Sequence, residues 1–109
     1  MSAITSPDRA AVFAALGDPT RLRLVELLSD GKVRSIQELS FGAPISRQAM
    51  TKHLRVLERA RLVRSGRSGR EVRYRLEQAE LHRARDFLAK VATQWESALE
   101  RLATHVAEQ

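Results

Sequence analysis

The apolar positions of this chain change their spacing twice, and each change predicts a new kind of secondary structure. From Pro7 to about Arg61, apolar residues recur every three or four positions, as in amphipathic helices. They alternate with polar residues as the chain approaches Leu76, which is typical of a half-buried strand. The helical spacing then returns and continues to about Ala107. The pattern therefore predicts a mainly α fold of the α+β class, with a short hairpin between helices.

Proline and glycine set the expected bounds of the first two helices. Ser6-Pro7 and Asp18-Pro19 each place a capping residue before a proline at the first helical position. Gly17 is a suitable end for the first helix, and Asp30-Gly31 follows the second. We therefore expect a short helix from Pro7 to Leu16 and a core helix directly after it.

A second pair of start signals predicts a helix-turn-helix. Ser35 and Glu38 have the spacing of a capping box, which opens a third helix running to about Ser40. The segment Phe41-Gly42-Ala43-Pro44-Ile45 breaks that helix, and Ser46 caps a fourth helix reaching roughly Arg61. Two helices joined by a brief turn containing Gly and Pro match a helix-turn-helix.

After the fourth helix, the sequence predicts a two-stranded wing. Leu62-Val63-Arg64 is expected to pair with a strand that ends at Leu76, across the turn Ser65-Gly66-Arg67-Ser68-Gly69. In the second strand, Val72, Tyr74 and Leu76 face one way, while Glu71, Arg73 and Arg75 face the other.

The last predicted helix carries an apolar stripe that is longer than a small domain needs. It spans about 30 residues, or on the order of 45 Å at the helical rise. One interpretation is that the stripe only covers the core of its own domain. A stripe sustained past Trp95 favours a second chain as its cover, and hence a dimer. Its members are Leu81, Ala84, Leu88, Val91, Trp95, Ala98, Leu102 and His105.

Charge points to nucleic acid as the partner. Ten of the nineteen Lys and Arg residues lie between Pro44 and Leu76, with only two of the thirteen acidic residues. Such a localised positive field attracts a polyanion to one face of the molecule.

With 109 residues, we expect a single domain over residues 1–109. No catalytic constellation is visible, so we expect a protein that is not an enzyme.

Composition restricts the expected setting of the protein. No apolar run approaches the roughly 20 residues needed to span a bilayer, and no secretory signal is visible at the start, so we expect a cytoplasmic protein without a membrane partner. The chain contains no cysteine, which excludes disulfides and thiolate metal sites.

The fourth helix has an outward face suited to reading a major groove. Gln48, Thr51, Lys52, Arg55 and Arg59 recur at helical spacing on the side opposite the apolar residues. Arg and Gln can bond guanine and adenine bidentately, and Thr offers a hydroxyl and a methyl group. A solvated charged face is the alternative, but the helix-turn-helix context favours duplex DNA. The expected contacts on this helix are Ser46, Arg47, Gln48, Thr51, Lys52 and Arg55.

The wing supplies further cations. Its five arginines, at positions 64, 67, 70, 73 and 75, are interleaved with serine and glycine, and we expect them to lack compensating acidic partners. Arginines on a flexible loop suit phosphate contacts or a narrow minor groove. Arg67 and Arg70 lie nearest the tip and are the expected DNA contacts, whereas Arg75 could equally pair with an acidic neighbour.

Taken together, these motifs resemble the ArsR/SmtB family of bacterial repressors. The resemblance rests on Asp18-Pro19-Thr20-Arg21-Leu22, on Ile45-Ser46-Arg47-Gln48-Ala49-Met50-Thr51-Lys52-His53-Leu54, and on Tyr74-Arg75-Leu76. It implies a winged-helix homodimer that represses transcription at a two-fold symmetric operator. One departure is Arg61, where the family commonly has glycine.

The resemblance also implies which residues form the dimer. In this family the first and last helices make the interface. The corresponding residues here are Val12, Phe13, Leu16, Leu81, Leu88, Val91, Trp95, Leu99 and Leu102.

Metal sensing, as found in some members of the family, is not expected. The cysteine pair that arsenic and cadmium sensors carry on the third helix is missing between Ser35 and Leu39. The nearest match to the family's other site is Glu80 and His82, with Thr93 where a strong ligand is needed. We expect no metal and no cofactor, and the sequence identifies no small-molecule effector. An RNA-binding or protein-interaction module is the alternative function.

Overall fold

The computed structural model describes residues 9–108 and has the predicted mainly α architecture with a small antiparallel sheet. The start predicted for the first helix, at Ser6-Pro7, lies outside the described residues. The elements in chain order are α1 (Arg9–Leu16), α2 (Pro19–Leu28), β1 (Arg34–Ser35), α3 (Ile36–Ser40), α4 (Arg47–Arg59), β2 (Val63–Ser68), β3 (Glu71–Leu76) and α5 (Gln78–Ala107).

The three predicted caps within this range are present. The Asp18 carboxylate accepts the Arg21 backbone N–H at 3.1 Å and so caps α2. Ser35 and Glu38 form the reciprocal capping box of α3, at 3.1 and 2.8 Å. The Ser46 hydroxyl accepts the Ala49 N–H at 3.1 Å at the start of α4. Each cap satisfies a backbone donor that the helix itself leaves without a partner.

The sheet differs from the predicted two-stranded hairpin. A third strand, β1, pairs with β3, so the strand order is β1-β3-β2. In addition, β2 continues through most of the segment expected to form the turn, because Ser68 still pairs with Glu71. The turn therefore consists of Gly69 and Arg70, and Gly69 has the positive φ of 64° that tight hairpins favour at this position.

The core lies where α2, α4 and the base of the hairpin meet. Its residues are buried by helices α1, α2, α3 and α4 and by the first part of α5, as expected for one packed apolar face per helix. None of the helices in the described range is long and apolar enough to cross a membrane. The largest fully buried side chains are Val12, Leu24, Leu28, Met50, Leu54, Leu57 and Leu62.

The chain leaves α4 through a left-handed turn at Arg61. The helix ends two residues earlier than predicted, and Arg61 has a φ of 59°, the one positive value at a non-glycine residue among those described. The Leu62 N–H donates to the Leu57 carbonyl at 2.9 Å, and the Arg61 N–H donates to the Glu58 carbonyl at 3.0 Å. These two bonds form a Schellman motif, whose left-handed position favours glycine.

Replacing Arg61 with glycine should stabilise the fold. An L side chain in this conformation costs about 1 kcal/mol, which glycine avoids. Arg61→Gly should therefore have a higher free energy of unfolding than Arg61→Ala, by up to about 1 kcal/mol. Urea denaturation of both variants at one protein concentration measures this difference. Arg61→Ala is the matched control because it removes the same guanidinium and keeps the β-carbon; equal stabilities would contradict the backbone explanation.

Candidate nucleic-acid interface

Helix α4 has one buried face and one exposed polar face, as its sequence predicts. Met50, Leu54 and Leu57 are buried in the core. On the other side Thr51 is half-buried, and six side chains are exposed: Ser46, Arg47, Gln48, Lys52, Arg55 and Arg59. The structure therefore brings all the predicted contacts of this helix to one accessible surface, which we call the α4 polar face.

Two hydroxyls of the α4 polar face are already engaged within the helix. Ser46 accepts the Ala49 N–H, as described above, and the Thr51 hydroxyl donates to the Arg47 carbonyl at 2.9 Å. Thr51 therefore presents its methyl group and an acceptor lone pair to a ligand, but its hydroxyl proton is already used within the helix. Among residues 9–108, donors without a partner remain on Ser46, Arg47, Gln48, Lys52, Arg55 and Arg59.

The guanidinium of Arg21, a residue of α2, connects α1 to α4. Its Nε donates to the Ala15 carbonyl at 2.6 Å, at the end of α1. One terminal nitrogen lies 3.2 Å from Nδ1 of His53 on α4, whose ring nitrogen thereby takes the acceptor role. His53 thus orders α4 through its contact with Arg21, and the sequence pattern does not predict this connecting role of Arg21.

Asp18 completes this group of charges. Its carboxylate lies 3.7 Å from His53 Nδ1, and the Arg21 backbone N–H donates to it. That backbone bond, aided by the nearby positive charge of the Arg21 side chain, lowers the pKa of Asp18 below its ordinary value. The carboxylate that caps α2 therefore also lies beside the His53 contact that holds α4.

The wing carries fewer unneutralised charges than its sequence suggested. Arg64 forms an ion pair with Glu77 at 2.9 Å, and Arg73 forms one with Glu71 at 3.0 Å. The expectation that the wing arginines lack acidic partners is therefore wrong for these two. Over residues 9–108, no ion pair involves the three others, Arg67, Arg70 and Arg75.

The tip of the wing presents two of these free cations. Arg70 occupies the two-residue turn, and Arg67 stands opposite Val72 in the register of the hairpin. Both side chains are exposed. The wing therefore offers accessible guanidiniums of the kind that bind phosphate oxygens.

The stripe on α5 divides into a covered part and an open part. Leu81 is half-buried against the core of the chain, together with Phe13 and Leu16 of α1. Val12 is only 2% exposed and belongs to that core, so it offers no surface to a partner chain. The open part, which we call the α5 stripe, consists of Leu88, Val91, Trp95, Leu99, Leu102 and Val106, each at least 44% exposed.

Of the residues nearest to the family's metal site, one carboxylate is engaged in another contact and two side chains are exposed. Glu80 is 4% exposed, and its carboxylate accepts a hydrogen bond from Arg83 at 2.6 Å. His82 and Thr93 are exposed on α5. No group of three or more residues with metal-ligating side chains occurs within the part of the chain that the structure describes.

Comparison with known proteins agrees with this architecture. A family described as a helix-turn-helix domain matches residues 16–66. The chain is 43% identical over 77 residues to the HTH-type transcriptional regulator Rv2034 of Mycobacterium tuberculosis, covering 71% of this chain and 69% of that protein. It is 36% identical over 88 residues to the HTH-type transcriptional repressor SmtB of the same species, covering 81% and 63% of the two chains.

A solved structure extends the likeness to the whole fold. The ArsR-like transcriptional regulator from Rhodococcus sp. RHA1 superposes with a TM-score of 0.73 at 39% identity, over 86% of this chain and 88% of that one. The helix-turn-helix, the hairpin after it and the long last helix therefore occur together in a regulator of similar sequence. This chain belongs to the ArsR/SmtB family of helix-turn-helix transcriptional regulators.

Proposed function

We propose that this protein is a metal-independent repressor that binds a two-fold symmetric operator as a homodimer. The observation that carries the proposal is the combination of an exposed α4 polar face with a wing whose free arginines lie at its tip. Membership of the family supports a role in transcriptional regulation, and the geometry supports different DNA contacts for the two surfaces. The α4 polar face reads base edges, and the wing binds the sugar-phosphate backbone.

Assembly as a dimer is supported by the α5 stripe. Six large apolar side chains on one helix face are exposed to water, and they follow heptad-like spacing. A continuous apolar surface of this kind marks a protein interface. Two-fold pairing would place two α4 helices about 34 Å apart, the spacing of successive major grooves.

Metal independence is supported by the donor set. The chain has no cysteine, Glu80 is bound to Arg83, and Thr93 stands where a strong ligand is needed. Zinc binds through several strong donors at once, and soft metals prefer thiolates. We therefore propose that neither zinc nor arsenite is the signal for this protein.

An RNA-binding role fits the structure less well. Single-stranded RNA is recognised largely by stacking of bases on exposed aromatic side chains. Tyr74 is the one aromatic residue of the basic segment, and it is 7% exposed in the core. The basic surface therefore offers no aromatic platform, and duplex DNA remains the better partner.

Gln48→Ala should reduce sequence discrimination. Removal of one base-reading side chain costs about 1–3 kcal/mol at its cognate site. The duplex site is first selected from a random library, and affinities for this site and for random DNA are then compared. Gln78→Ala, an exposed glutamine outside α4, is the matched control. Equal losses on both DNAs would show that Gln48 does not read bases.

The pair Arg67→Ala with Arg70→Ala should flatten the salt dependence of binding. Each lost phosphate contact reduces the slope of log affinity against log salt by about 1. The control pair, Arg64→Ala with Arg73→Ala, removes the same charge from arginines that are already paired with Glu77 and Glu71. Similar salt slopes for the two double variants would mean that the change in slope follows from the net charge of the protein, and not from phosphate contacts at the wing tip.

Trp95→Ala combined with Leu102→Glu should produce a monomer. The first change removes the largest apolar side chain of the α5 stripe, and the second places a charge within it. The monomer should keep salt-sensitive binding to any DNA and lose most operator affinity, because it presents a single α4. Sedimentation and operator titration measure the two effects. Ala89→Glu, an exposed position off the stripe, should remain dimeric; operator binding that survives in a monomer would refute two-fold recognition.

A further inference from the structure

A cavity of about 400 Å³ lies between α2, α3 and the turn that leads into α4. Thr20, Arg23 and Leu27 form its α2 side, while Ile45 and Met50 form the side towards α4. This volume falls within the range of sites that bind small molecules. The cavity is formed by different residues from those of the α4 polar face, the wing and the α5 stripe.

The walls of the cavity favour an apolar ligand body. Leu27, Ala43, Pro44 and Ile45 are partly or fully exposed and contribute apolar surface, while Leu24, Leu39 and Met50 are buried members of the lining. Phe41 also lines the cavity, although its residue is 91% exposed. A ligand lying against this ring would cover apolar surface of the ring and of the ligand itself. Removal of both surfaces from water favours binding.

The charged groups of the cavity favour a negative ligand head. Arg23 takes part in no hydrogen bond or ion pair among residues 9–108, so its guanidinium is free. Glu38 also lines the cavity, but its carboxylate accepts the Ser35 backbone N–H at 2.8 Å. That bond to Ser35 lowers the pKa of Glu38 and keeps the carboxylate engaged in the capping box. The charge available to a ligand in the cavity is therefore the positive charge of Arg23.

We propose that this cavity binds an amphipathic carboxylate, with the apolar body between α2 and the turn and the carboxylate on Arg23, and that occupancy weakens DNA binding. The regulatory half rests on the proposed function, whereas binding of the carboxylate does not. A guanidinium and a carboxylate form a charge-assisted, bidentate pair that an alcohol cannot reproduce.

The route from the cavity to DNA is short. Ile45 directly precedes Ser46, the cap of α4, and Met50 lies in the early part of that helix with 1% of its surface exposed. Arg47 and Gln48 of the α4 polar face lie between them in sequence. A ligand that packs on Ile45 and pushes into the cavity towards the buried Met50 would displace the start of α4 relative to α2. An effector acts through such a difference in its affinity for two conformations.

Three probes with the same ten-carbon chain test the site: decanoate, decanol and decylamine. Calorimetric titration of the protein without DNA should show one saturable site per chain for decanoate, with about ten-fold weaker binding of decanol. Arg23→Ala should weaken decanoate about ten-fold and leave decanol unchanged. Lys32→Ala removes an exposed cation outside the cavity and should change neither. Preference for decylamine, or no effect of Arg23→Ala, would overturn the site.

The α5 stripe is the competing apolar surface, and Trp95 reports on it. Trp95 is the single tryptophan of the chain and lies on that stripe. Decanoate in the cavity should leave its fluorescence unchanged. Saturable quenching of Trp95 in parallel with decanoate binding would assign the ligand to α5 and overturn the proposal.

Titration of selected duplex DNA with and without decanoate tests the regulatory half. Saturating decanoate should weaken binding about five-fold or more, within the usual range of allosteric coupling. Arg23→Ala should keep its DNA affinity and lose the response to decanoate. Decanoate that binds without changing DNA affinity would overturn the regulatory role. DNA affinity without decanoate tests the proposed function separately, so failure of one idea is distinguishable from failure of the other.

Discussion

The left-handed turn at Arg61 is the constraint on which the relation between helix and wing depends. Two hydrogen bonds close the end of α4, and Leu57 and Leu62 on either side of the turn are fully buried. The chain must therefore reverse direction within a few residues while both leucines stay in the core. A residue with ordinary helical φ at position 61 would carry the chain onward and separate Leu62 from Leu57.

The middle of α4 is held by polar contacts. Arg21 connects the last carbonyls of α1 to His53 on α4, while Asp18 caps α2 beside them. The helix that presents the polar face is thus held by packing along its length and by one guanidinium at its side. Loss of Arg21 would leave acceptors on α1 and α4 without their hydrogen-bond donor. An unsatisfied acceptor in a partly buried position is destabilising.

Local signals made most of the fold predictable, and long-range contacts explain the errors. The capping residues Asp18, Ser35 and Ser46 act within three positions of themselves, so their helices could be read from the sequence. Strand β1 has two residues and no alternation to detect; it exists because it pairs with β3, some 40 positions away. The same holds for the site: the polar positions of α4 follow from helical spacing, whereas the ion pairs of the wing, the burial of Val12 and the cavity beside Arg23 depend on tertiary packing.

The length of α5 has a consequence for how the protein unfolds. Helix α5 continues for 30 residues, yet in the chain its buried residues are Glu80 and Ala84, both near its start. Beyond Leu88, no core formed by residues 9–108 lies beneath the helix, and helices in proteins owe most of their stability to packing of an apolar face. Its amide protons would then exchange by local fraying, independently of global unfolding, unless a second chain covers the stripe. Hydrogen exchange along this one helix therefore distinguishes a folded lone chain from an assembled one.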